Sequence, residues 1–179
     1  MSDHATNPKR VLAINPTCRG FGYAVLELPA MLVDWGIVSA RLDKERKTLG
    51  KVATLIARYR PEVLVLENCD AVSSRRCRRI GDLLHLIKEL AVGKDVRTSS
   101  VAQPQVRKCF AAFGASTRHQ IARTVAEQLP ELSRHVPRYR KPWMSEDHRM
   151  SFFGAAALAL AYYEACSQRT RNHLACSEP

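Results

Sequence analysis

The chain is short of acid: it sets 17 Asp and Glu against 28 Lys and Arg, a formal charge of +11 over 179 residues. A surplus of that size makes a polyanion the natural partner, nucleic acid first and an anionic membrane surface second. Other absences weaken the membrane reading. No segment offers the roughly 18 consecutive apolar residues of a span. The opening MSDHATNPKR lacks the apolar centre of a secretory leader, and no amphipathic helix joins a broad basic face to bulky apolar residues. The longest apolar candidate, Phe152 to Tyr163, is short and Ala-rich and reads as a buried helix. The six cysteines form no C-x-x-C pair and no zinc spacing, so they read as reduced thiols of a cytoplasmic protein. The histidines, His119 and His148 included, show no ligand spacing, and there are no internal repeats. Apolar residues are plentiful at 46%, which excludes a disordered tail protein. The length predicts one domain with a sizeable core. We place it over residues 10–166, after a flexible start (1–9) and before a polar tail (167–179).

What is present is organised around Arg10 to Glu27. Val11-Leu12-Ala13-Ile14 is the short apolar run of a strand covered on both faces, Pro16, Gly20 and Gly22 punctuate a turn, and Tyr23 to Leu26 resumes a strand. Asn15 is thereby delivered to the edge of the sheet, either as a site residue or simply to satisfy the turn, since Asn tolerates such backbone conformations. Met31 to Ala40 is a third strand, with Gly36 as a bulge candidate. Asp43 can cap a helix that Pro61 stops after Tyr59, with Leu49, Val52, Leu55 and Ile56 at helical spacing. Val63 to Leu66 is a second buried run, ending in Glu67. A helix between two such runs predicts a right-handed crossover to a parallel strand, which sets Glu67 beside Asn15.

Ser73 and Ser74 precede a helix whose first turns carry Arg75, Arg76, Arg78 and Arg79. Cations there oppose the helix dipole, so these arginines are either kept for phosphate or form a solvated face. Gly93 ends that helix, and Val96 to Ser100 is a fifth strand. Gln103 to Phe113 and the turn Gly114-Ala115-Ser116-Thr117 lead to a helix over Arg118 to Leu129. Pro130, Pro137 and Pro142, with Arg134, Arg138, Arg140 and Lys141, mark a basic loop. Ser145 is expected to cap the last helix, with Glu146 and Asp147 in its first turn. On that helix residues 147, 150 and 154 would share one face.

The order β-β-β-α-β-α-β-α-α, and the run Ile14-Asn15-Pro16-Thr17 followed by Gly20-Phe21-Gly22-Tyr23, resemble the RuvC-type Holliday-junction resolvases and their RNase H-like relatives. These open with I-D-P-G and a Gly-aromatic-Gly return. The resemblance spans about Arg10 to Tyr163. It implies an α/β, RNase H-like (RuvC-type) fold with a mixed five-stranded sheet flanked by helices. It also implies a homodimer and a Mg²⁺-dependent endonuclease acting on branched or structured DNA.

The family takes one Asp from the first strand, one Glu from the fourth, and one or two Asp from the last helix, to hold two metal ions about 4 Å apart. Here the corresponding positions read Asn15, Glu67 and Gly154, or Ala156 in a register shifted by two. Asp147 and Glu146 stand nearby as substitute ligands, beside a further candidate, Asp70. The expected catalytic set is thus Asn15, Glu67, Asp147, Glu146 and Gly154, with Glu67, Asp147 and Glu146 left to bind metal weakly. The expected nucleic-acid contacts are Arg75, Arg76, Arg78, Arg79, Arg138, Arg140 and Lys141. Two readings follow, a nuclease with impaired cleavage or a structure-selective binding module without turnover. A third, an actin-like kinase, needs a second lobe that 179 residues do not supply.

Overall fold

The structure, a computed structural model, describes residues 9–17, 19–28, 31–39, 44–68, 75–141 and 143–175. Eight-residue strands β1 (Arg10–Thr17) and β2 (Gly20–Glu27) form an antiparallel hairpin. β3 (Met31–Ser39) extends it antiparallel. Helix α1 (Lys44–Tyr59) returns the chain so that β4 (Val63–Asn68) lies parallel to β1. Helix α2 (Arg75–Val92) leads to β5 (Arg97–Ala102), parallel to β4. Helices α3 (Gln103–Ala111) and α4 (Arg118–Gln128), a 3-10 turn over Pro130–His135 and the long α5 (Met150–Ala175) complete the order. The sheet runs β3-β2-β1-β4-β5 and is mixed, as the sequence implies.

Strand alternation divides the core into two layers. Leu12, Ile14, Leu64 and Leu66 pack beneath α1 and α2, whereas Val11, Ala13, Val63 and Val65 pack beneath α4 and α5. All eight are at most 1% exposed. Burial of that completeness contributes about 1.5–3 kcal/mol for each Val, Leu or Ile, which is why two short runs fix the centre of the sheet. On the other side of the interface, α5 presents Ala155, Ala156, Ala157, Ala159 and Ala161, all buried. Small side chains let the helix approach the sheet closely, and Tyr163 pins it there by donating its hydroxyl to the Leu26 carbonyl at 3.1 Å.

Three details differ from the sequence reading. The irregularity in the β2/β3 ladder falls where Val25 pairs Asp34 and Leu26 pairs Leu32, so Val33 is the extra residue and Gly36 is not. Gly36 instead leaves room for the Tyr23 ring, whose hydroxyl donates to Asp34 at 3.0 Å alongside that of Tyr59. The polar stretch 167–175 continues α5 rather than leaving it, because Gln168 and Arg171 bond back to Glu164. Finally, α5 begins at Met150 and not after Ser145. The residue that organises its start is Asp147, whose carboxylate accepts from the Arg149 backbone N–H at 2.9 Å and whose carbonyl accepts from Met150. Asp43, Asp70, Ser73 and Ser74 lie outside the described residues.

Candidate active-site cleft

β1 and β4 end side by side. Ile14 and Leu66 are the last pair between these two strands, so the next residue of each, Asn15 and Glu67, stand as neighbours where the strands part, paired outward with Gly22 and Val101. The pleat turns both toward α5, since Asn15 follows Val11 and Ala13 on that face and Glu67 follows Val63 and Val65.

Asn15 is 6% exposed, and its Nδ2 donates to the Ser151 carbonyl at 3.2 Å. One turn along α5 from Ser151, Gly154 faces the same amide. A β-carbon at Gly154 would come closer than 3.0 Å to Asn15 Nδ2, so the glycine's vacancy is filled by the asparagine. The packing is tight on the third side as well. Gly22, the β2 partner of Asn15, lies against the Ser151 backbone with no room for a β-carbon. Asn15, Gly22, Ser151 and Gly154 therefore form a closed packing unit in which the Asn15 amide is already bonded.

The Glu67 carboxylate accepts from Gln103 Nε2 at 2.8 Å. Gln103 opens α3 directly after β5 and lines a cleft with Asn15, Arg118, Met150, Phe153 and Gly154. Arg118 is held at the start of α4 by a reciprocal cap, in which Gln120 N–H donates to Thr117 Oγ1 at 3.2 Å and Thr117 N–H to Gln120 Oε1 at 3.0 Å.

The two substitute carboxylates are engaged elsewhere. Glu146 pairs with Arg118 at 2.7 Å, on a half-exposed surface. Asp147 pairs with Arg149 at 2.8 Å. The hydrogen bond from the Arg149 guanidinium holds the Asp147 carboxyl down at about 2, against a burial effect of opposite sign. Because Asp147 precedes the helix, the face expected from residues 147, 150 and 154 does not form. Arg149 N–H takes the Asp147 side chain as its acceptor instead.

A pair of Mg²⁺ ions requires several oxygen ligands around one point. At the ends of β1 and β4 the described residues offer one carboxylate, Glu67, together with the donor face of an amide and a glycine. Among the described residues no group of three or more His, Cys, Asp or Glu side chains is placed to hold a metal ion. The described residues do not by themselves fit a two-metal centre. The N–H-bearing side chains that line the cleft are Gln103, which already donates to Glu67, and Arg118, which is paired with Glu146.

The basic residues fall in two places. Arg75, Arg76, Arg78 and Arg79 stand in the first turns of α2, and their side chains lie outside the described residues. Arg138, Arg140 and Lys141 follow the 3-10 turn, with Arg138 and Lys141 exposed and Arg140 partly buried. Sequence reasoning overlooked Gln103, Arg118 and Ser151. For Arg118 a signal existed in Thr117-x-x-Gln120, which fixes the helix start, whereas Ser151 enters through its backbone and leaves no trace in residue type.

A mixed sheet in this order, helices on both faces and a cleft at the adjoining ends of β1 and β4 define a RuvC-like, RNase H-type fold. The solved structures it matches include Thermus thermophilus RuvC in complex with a Holliday junction substrate, at TM-score 0.71 and 19% identity over 89% of this chain and 96% of that one. A second Thermus thermophilus RuvC structure matches at TM-score 0.66 and 19% identity, over 90% and 96%. The Fowlpox virus resolvase complexed with Holliday junction DNA matches at TM-score 0.51 and 16% identity, over 87% and 97%. No family model matches the sequence, and no curated protein matches it. No helix among the described residues is long and apolar enough to cross a membrane.

Proposed function

We propose that this protein binds branched or structured DNA on a RuvC-like scaffold and does not cut it by two-metal hydrolysis. The observation that carries the reading is the interlock of Asn15 with Gly154. The place where strand and helix carboxylates would meet is occupied by an amide already bonded to Ser151. The charge of +11 and the fold shared with two junction-bound resolvases support DNA as the ligand. In this reading Gln103 and Arg118 offer N–H donors to a backbone phosphate in the cleft, and the basic residues of α2 and of the 138–141 loop hold the flanking phosphates. The protein acts as a cytoplasmic homodimer, one cleft for each half of a two-fold junction.

The deciding experiment is a paired measurement on a four-way DNA junction, with binding by gel shift and cleavage with Mg²⁺ or Mn²⁺ on a sequencing gel. Binding without metal-dependent product is the expected result. Metal-dependent cleavage by the unmodified chain, abolished by Glu67→Gln, would overturn it in favour of a nuclease working from Glu67 with a reduced ligand set. That second reading rests on the one carboxylate the sheet still places at the site.

A further inference from the structure

The loop between the 3-10 turn and α5 carries features the phosphate reading leaves unused. Tyr139 and Trp143 are each 78% exposed, and Met144 is 52% exposed. Two aromatic rings so open to water within five residues leave much apolar area unburied, and the same stretch carries Arg138, Arg140 and Lys141. The rings are nevertheless held in place. The His119 ring meets Tyr139 edge-on at 5.6 Å, and His119 Nε2 lies 2.9 Å from the Pro137 carbonyl. The Lys141 ammonium sits 5.2 Å above the Trp143 ring, and Met144 N–H closes a turn on the Lys141 carbonyl at 3.0 Å. At its far end the loop is tied to the cleft by the Glu146–Arg118 pair. Arg140 Nη1 is buried with no hydrogen-bond partner, a donor the protein itself leaves unanswered.

Resting on the DNA-binding reading above, we propose that Tyr139 and Trp143 form a stacking platform for unpaired bases beside the cleft, so that the protein prefers DNA whose bases are open over intact duplex. The chemistry fits one ligand class. Aromatic faces interleaved with cations on an anchored loop stack bases while the neighbouring charges hold the backbone, and stacking tolerates any sequence because every base has a π-face. Side chains already held by such contacts spend less entropy on ordering when they bind. Paired bases are already stacked on one another and gain nothing from either ring.

The test compares three probes at one salt concentration: a blunt duplex, the same duplex with a central run of unpaired thymines, and a thymine single strand. The unmodified protein is expected to favour the two probes with open bases. Trp143→Ala and Tyr139→Ala should each weaken those two by about 5- to 150-fold and leave the duplex and the slope of log K against log salt unchanged. Trp143→Phe should restore most of the loss, since it keeps a ring. In a Trp35→Phe background, Trp143 is the sole tryptophan, and its fluorescence should be quenched by the single strand and not by the duplex. Equal losses on all three probes, or none, overturn the stacking platform while leaving DNA binding intact. A Trp143→Ala defect confined to phosphatidylserine vesicles likewise overturns the platform alone, and failure of the unmodified protein to bind any probe overturns both.

Discussion

Asn15 and Gly154 occupy each other's space: the amide nitrogen of one fills the volume a β-carbon of the other would need. Two residues in that relation are coupled, and their substitutions will not add. Gly154→Ala alone should destabilise the fold by about 1–3 kcal/mol, because it pushes the amide off the Ser151 carbonyl. In an Asn15→Ala background the same change should stabilise by up to about 1 kcal/mol, the ordinary helix gain of Ala over Gly. Urea denaturation of the four proteins of the cycle measures both, and additive effects would dissolve the interlock.

Rebuilding the carboxylate set requires both positions. Asn15→Asp by itself leaves Glu146 on Arg118 and Asp147 on Arg149, so titration calorimetry with Mn²⁺ should register no binding. The Asn15→Asp, Gly154→Asp double variant brings two new carboxylates to the side of Glu67, and it should bind Mn²⁺ at millimolar affinity or better, provided the group at position 15 turns away from the helix. Saturable binding by the single variant would mean that Asp147 or Glu146 leaves its arginine and reaches the site.

Asp147 gives the start of α5 a dependence on acid. Its carboxyl lies at about 2 in the folded protein against an ordinary 3.8, so its ionised form is favoured by folding. The resulting stability is complete above about pH 4 to 5 and is lost as pH falls through 3.8 toward 2. The pair is partly exposed, which limits the effect to about 1 kcal/mol or less. Arg149→Ala should flatten the acid limb of stability between about pH 5 and pH 2, and Asp147→Asn should do the same. An acid limb unchanged in both variants would assign it to other carboxylates.

Charge removal should separate the two basic regions. Every cation withdrawn from a phosphate flattens log K against log salt by about 0.9 on duplex DNA. The triple variant Arg138→Ala, Arg140→Ala, Lys141→Ala and the quadruple variant of Arg75, Arg76, Arg78 and Arg79 are each expected to lower the slope. A region whose removal leaves the slope alone is a solvated face.

The parts of this fold legible in the sequence are those set by period and burial. Val11 to Ile14 and Val63 to Leu66 announce buried parallel neighbours, and the sheet pairs them with Ile14 opposite Leu66. The start of α5 was not legible, since Ser145, Glu146 and Asp147 all carry capping chemistry and only the backbone shows which one organises the turn. Nor was the interlock at Asn15, because Gly154 reads equally as a relaxed position or as a lining one until the opposing strand is in place. Val33 shows the same limit: a bulge is decided by what the partner strand must match, and glycine is only one way to make it.

Gly22 touches the Ser151 backbone with no side chain between strand and helix. Interfaces of that kind lack a soft layer to absorb displacement, so the hairpin and the first turn of α5 are mechanically one piece. A displacement of β2 at Gly22 is therefore passed by backbone contact to the turn that leads into Met150.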